Sequence, residues 1–207
     1  MKTVAIISQK GGAGKTTLTI NLAVEALLNK LETVIVDLDP QSSSSEWSDS
    51  RTNKSPIVVS SQHSRLLKVL ETAKQEKVDL VFIDTAPHSE KTSLEAARNS
   101  DLILVPCRPT ILDLRAIGNT LDIASLAKTK SIVILNTIPP RGSLSIEAEE
   151  AVKGYNAEIC PIKIGHRTAF IHSITEGLAV QEYEPNGKAA LEIKQLFKWL
   201  KNILTIN

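Results

Sequence analysis

The sequence predicts an α/β fold, a doubly wound, mostly parallel sheet with helices on both faces. Three observations carry that expectation. Short runs of β-branched and aliphatic residues alternate along the chain with segments whose apolar residues recur at helical spacing, the pattern of successive βαβ crossovers. Two of the apolar runs end in aspartate, at Asp37 and Asp84. A third, Val4 to Ile7, is followed within three residues by the glycine-rich stretch Lys10 to Thr17. Ligands of open parallel sheets gather beyond the carboxyl ends of the strands, so acids and glycines at those ends mark a site.

The first strand and the glycine-rich turn lead into residues 15–29, which read as a helix with Leu18, Leu22, Ala23, Ala26 and Leu27 on one buried face. Thr33 to Asp37 reads as a buried strand. Residues 42–56, Ser-rich and polar, predict a loop passing into a short exposed helix, and Pro56 to Val59 a weak strand. His63 to Lys77 predicts an amphipathic helix with Leu66, Leu67, Leu70 and Ala73 inward. Val78 to Ile83, ending in Asp84, is the next strand, followed by a helix around Leu94, Ala96 and Ala97. Residues 101–106 read as a strand, 111–127 as a long helix, and 131–136 as a strand ending in Asn136. An acidic helix over 143–154, a short last strand over 159–162, a helix near 169–175 and a final helix over 189–204 complete the chain.

Composition narrows the class. The 207 residues are 42% hydrophobic with only three Phe, two Tyr and two Trp, which predicts an aliphatic core. No repeat, linker or compositional break divides them, so a single domain over 1–207 is expected. No apolar run approaches the roughly 20 residues of a membrane span and no leader pattern precedes the first strand, so a cytoplasmic protein is expected. Cys107 and Cys160 each adjoin an apolar segment and a proline and read as buried thiols. A formal charge of +1 supplies no global attraction for nucleic acid, so any such binding needs a local patch.

The glycine-rich stretch reads Lys10-Gly11-Gly12-Ala13-Gly14-Lys15-Thr16-Thr17. Between a strand and a helix start, such a turn gathers backbone N–H groups toward one point and attracts phosphate. Glycines at 11, 12 and 14 let the chain come close to phosphate oxygens. Lys15 would reach the terminal phosphates of a nucleotide and the Thr16 hydroxyl would ligate Mg²⁺. The strand ending in Asp84 is the type that delivers one carboxylate to the Mg²⁺ shell. The common pattern places a glycine where this chain has Gln9, and it carries a second lysine, Lys10.

That variant, K-G-G-x-G-K-T, resembles the deviant Walker A loop of the ParA/MinD family of P-loop NTPases. Asp37-Leu38-Asp39-Pro40-Gln41 and Asp84-Thr85-Ala86-Pro87 resemble two further motifs of that family in the right order. The resemblance implies an ATPase, with weak intrinsic activity, that forms a nucleotide-sandwich homodimer. It implies that Lys10 crosses to the partner subunit's nucleotide, Asp39 orients the attacking water, and Asp37 sits beside Mg²⁺ through water. Asn136 matches the position at which the family carries an asparagine on the adenine. An acid pair capping the next helix is the competing reading of Asp37 and Asp39, and a turn-forming residue that of Asn136. Arg108 to Asp113 resembles a segment near the nucleotide and the dimer contact, and a rigid loop with Asp113 in the first helical turn is its competitor.

The short chain looks most like the small plasmid-type, ParF-like ParA partition proteins. These bind ATP and Mg²⁺, hold DNA non-specifically, associate with the nucleoid when ATP-bound, and respond to a ParB-like or ParG-like centromere-binding partner. Residues 161–207 hold six Lys and Arg against four Glu, a mild excess, and Arg141 and Arg167 are the candidate DNA contacts. Two alternatives stay open. Leu191, Ile193, Leu196, Phe197, Leu200, Ile203 and Leu204, interrupted by Lys194, Lys198 and Lys201, describe either a MinD-like membrane-seeking helix or one packed on the sheet. A metabolic P-loop ligase is the other.

Overall fold

In the computed structural model, which describes residues 1–206, seven parallel strands form one sheet in the order β3-β2-β4-β1-β5-β6-β7. Position 207, the end of the expected domain, lies outside the described residues. The strands are β1 (Lys2–Ile6), β2 (Thr33–Asp37), β3 (Ile57–Ser60), β4 (Leu80–Asp84), β5 (Leu102–Cys107), β6 (Ser131–Leu135) and β7 (Glu158–Ile159). Between and after them run α1 (Lys15–Leu28), α2 (Ser43–Ser50), α3 (Leu66–Gln75), α4 (Glu90–Arg98), α5 (Ile111–Ala127), α6 (Leu144–Lys153), α7 (Thr168–Thr175), α8 (Val180–Tyr183) and α9 (Lys188–Leu204).

Alternation along each strand splits the core into two layers. Val4 and Ile6 of β1 join Leu18 and Leu22 of α1 and Ile193, Leu196 and Leu200 of α9 on one face. Ala5 of β1 joins Leu70 of α3, Ala96 and Ala97 of α4 and Ile117 of α5 on the other. Both faces are therefore covered, as an all-parallel sheet requires. Ile6, Asp37 and Asp84 pair across neighbouring strands, and this register brings the ends of β1, β2 and β4 to one level. The loop after β1 and both strand-end acids meet there.

Several details differ from the sequence expectation. The helix over 43–50 is not simply exposed, because Trp47 is buried and donates from Nε1 to the Leu178 carbonyl at 3.3 Å. Arg51, just beyond α2, lies 4.4 Å over the Trp47 ring, bonds Glu182 at 2.8 Å and is buried. Glu182 stands 131 positions from Arg51 in sequence, so no local pattern announces the pair. Leu67 is 60% exposed rather than inward, because a 3₁₀ turn over His63–Arg65 precedes the helix and the stripe that meets the core is Leu66, Leu70 and Ala73 with Val69 beside it. The last strand ends at Ile159, before Pro161, which has no N–H to continue a ladder. The four-residue α8 carries no helical period long enough to be read in advance.

The C-terminal helix α9 is the packed kind. Its Ile193, Leu196, Phe197 and Leu200 are buried against α1 and the sheet, while Lys198 faces outward. No helix among the described residues is long and apolar enough to cross a membrane. Cys107 and Cys160 are both buried free thiols, and burial pushes each up to about 12, far from thiolate chemistry at neutral pH.

Candidate functional site

The loop after β1 is shaped by two left-handed glycines, Gly12 at φ 71° and Gly14 at φ 92°. Only glycine takes such angles without strain. Gly14 is also the N-cap of α1, and it leaves that helix with no side-chain cap and no acid in its first turn. The N-terminal N–H groups and the positive end of the helix dipole are thus left for an outside anion. Gly11 and Gly12 are exposed, while Ala13 is buried.

Lys15 and Lys10 take opposite places. Lys15 is 6% exposed and its Nζ donates to the Lys10 carbonyl at 3.4 Å. Burial draws its pKa below the ordinary lysine value, against the pull of Asp84 and Asp39. A cation held inside the loop and poorly solvated there gains most when a phosphate arrives. The Lys10 side chain has no hydrogen bond or ion pair among the described residues, and the residue is half-buried.

Asp84 is fully buried at the end of β4. Its Oδ2 accepts from the Ser44 hydroxyl at 2.7 Å, and Oδ1 has no partner. Burial raises its pKa to about 6, opposed by the Ser44 and Thr16 hydroxyls and reinforced by the charge of Asp37. A buried carboxylate oxygen without a partner beside a threonine hydroxyl fits a hydrated divalent cation. No cluster of three or more His, Cys, Asp or Glu among the described residues could hold a metal alone, and Mg²⁺ bound through phosphate and one or two protein oxygens needs none.

The raised Asp84 pKa has a stability consequence with a definite sign. Between about pH 4 and pH 6 the folded protein holds a proton on Asp84 that the unfolded chain has released, so stability from this group falls as pH rises through about 6. Asp84→Asn is therefore expected to stabilise the nucleotide-free protein at pH 7 by about 1–3 kcal/mol, and to leave it little changed near pH 4. Urea unfolding at the two pH values checks this, and an equal effect at both removes the explanation.

Asp37 is also fully buried, and its carboxylate is already engaged. Oδ2 accepts from the backbone N–H and the hydroxyl of Ser45, both at 3.0 Å, and Oδ1 accepts from the Asp39 N–H at 3.1 Å. The helix-capping reading of this acid is realised, and Ser44 and Ser45 tie α2 to both strand-end acids. Sequence reasoning misses that serine role, although a serine run directly after D-x-D-P-Q is its signal. Asp39 is half-exposed, accepts from the Gln41 N–H at 2.9 Å, and borders a cleft of about 510 Å³.

On the other side of the loop a cleft of about 170 Å³ is lined by Gly12, Gly14, Thr17, Asn136, Thr137 and Arg167, among others. Asn136 reaches the loop itself: its Nδ2 donates to the Ala13 carbonyl at 2.8 Å. A Cβ on Gly14 would stand 2.2 Å from that nitrogen, so glycine there is required by the clamp as well as by φ. Arg167 does not stand free in an exposed turn as the sequence suggests. Its Nη2 donates to Glu192 Oε1 at 2.6 Å and its Nε to the same oxygen at 3.2 Å, so most of its charge is answered within the chain. Arg141 is exposed and makes no ion pair among the described residues.

The match that decides the family is to the CobQ/CobB/MinD/ParA nucleotide binding domain, over residues 4–180. The chain belongs to that family. It is 32% identical over 200 residues to a maintenance of carboxysome distribution protein A of Gloeobacter kilaueensis, covering 92% of this chain and 88% of that one. A protein of the same description from Halothiobacillus neapolitanus is 26% identical over 204 residues, covering 94% of each. Among solved structures, the ATP complex of a Cyanothece McdA variant superposes with a TM-score of 0.79 at 20% identity, covering 100% of this chain and 97% of that one. For a nucleotide-binding member of the ParA/MinD type, the seven-stranded sheet and its loop after β1 are the expected frame.

Proposed function

We propose that this ParA/MinD-type protein is an ATPase that uses Mg²⁺ATP to form a sandwich homodimer, holds DNA non-specifically and positions a cargo over it. The observation that carries the reading is the division of labour between two lysines: Lys15 buried inside the phosphate loop, Lys10 beside the exposed Gly11-Gly12 turn with no side-chain partner among the described residues. A cation without a counter-charge at the open face of a phosphate loop is suited to a second subunit's nucleotide. Thr16 and Asp84 would hold Mg²⁺, which offsets charge on the phosphates when bound. Asp39, half-exposed beside its cleft, would orient water, and Asp37 would keep α2 and the acids in place. With no arginine assigned to the transition state, intrinsic hydrolysis should be slow and a ParB-like or ParG-like partner would raise it.

DNA is favoured over a membrane surface because the apolar stripe of α9 is used in the core. Arg141 and Lys198 are the exposed cations this reading assigns to phosphate contact; Arg167, paired with Glu192, is not among them. The cargo is a body carried over DNA: a plasmid, a chromosome or, as the names of two relatives suggest, a protein compartment.

Asp39→Ala tests the reading. It is expected to lower hydrolysis about 10²-fold or more while ATP still drives dimer formation, leaving a dimer retained on random duplex DNA. Retention should weaken steeply as salt rises, since phosphate neutralisation releases counterions. An ATP-loaded dimer with no affinity for DNA at low salt, but with affinity for anionic liposomes, would replace DNA by membrane.

A further inference from the structure

Arg108, one residue beyond β5, lies against the phosphate loop, and neither the proposed hydrolysis nor the proposed dimer contact uses it. A Cβ built on Gly12 would come 3.6 Å from Arg108 Nη1, which places the guanidinium directly at the exposed turn. The opposite edge of that guanidinium is clamped. Nε donates to Asp113 Oδ1 at 3.0 Å and Nη2 donates to Asp113 Oδ2 at 3.2 Å. Asp113 is itself buried in the first turn of α5, where it accepts from the Thr110 hydroxyl. Arg108 is 34% exposed, and its Nη1 has no hydrogen-bond partner among the described residues.

A forked clamp of this kind removes most of the freedom of a long side chain while leaving one edge of its donors unused. It also offsets the charge, so the cation can wait at the Gly12 turn without a nucleotide. We propose that Arg108 is a further phosphate-engaging residue of this site: oriented by Asp113, its Nη1 edge takes a phosphate oxygen of a nucleoside triphosphate bound in its own subunit's loop, and favours the triphosphate over the diphosphate. The proposal rests on ATP binding alone and not on DNA or cargo, so either can fail without the other.

The competing role is a clamp that merely stiffens the start of α5. Binding of fluorescent ADP and of a fluorescent non-hydrolysable ATP analogue separates the two, with melting of the nucleotide-free protein as the folding control. Arg108→Ala is expected to lower affinity for the ATP analogue about tenfold or more and to change ADP affinity by less than about threefold. Arg108→Lys keeps the charge but cannot fork, and is expected to recover only part of the preference. If Arg108→Ala proves unstable, the Lys variant alone decides. An unchanged ATP-over-ADP preference, or an equal loss for both nucleotides, overturns the proposal.

Discussion

Lys15→Ala is expected to lower nucleotide affinity by about a hundredfold or more, the largest single loss at this site. Its ammonium group is buried within the loop, with burial lowering its pKa and the charges of Asp84 and Asp39 acting against that. Truncating one member of a buried charge-assisted contact costs about 2–5 kcal/mol, which is roughly one and a half to three and a half decades of affinity. The backbone N–H groups at the start of α1 would remain, and by themselves supply only a fraction of that attraction. Isothermal titration with ADP and with a non-hydrolysable ATP analogue measures the loss. Retention of parental affinity within about threefold would mean that Lys15 does not hold the phosphates.

Lys10→Ala should behave in the opposite manner. Its side chain makes no contact that holds the loop, so the monomer should keep ADP affinity within about threefold. ATP-driven dimerisation should fall by about tenfold or more, because on the proposed reading the cation that would reach the partner's nucleotide is gone. The surface around it suits close approach: Gly11 and Gly12 carry no side chains, and Ile111 and Leu112, each 62% exposed, sit on the first turn of α5 just beyond Arg108. Sedimentation velocity with the non-hydrolysable analogue reads the difference. Parental dimerisation of the variant would end the cross-subunit role and leave Lys10 a solvated loop residue.

The parts of the site that can be read in the sequence are those written in neighbouring residues. A strand, three glycines, Lys15 and Thr16 form one unbroken segment, and each strand-end acid comes directly after its own apolar run. Steric permission at glycine and the pull of parallel strands toward both-face burial act locally, so they leave a local trace. Asn136 shows the limit. Its place at the end of β6 is legible, but its bond to Ala13 joins residues 123 positions apart. Arg167 shows it more sharply, since a turn of Gly, His, Arg and Thr looks exposed until Glu192, 25 residues on, is folded against it.

By itself the sequence determined the alternation of strands and helices, the phosphate loop and which strands end in acids, because period, glycine geometry and chain direction are properties of short stretches. Tertiary structure alone decided what those groups do to one another. It set Ser44 and Ser45 on Asp84 and Asp37, fastened α2 to α8 through Arg51 and Glu182, and brought Arg108 to Gly12. These pairings depend on sheet order and register, where β4 returns between β2 and β1, and no stretch shorter than the whole sheet specifies that order.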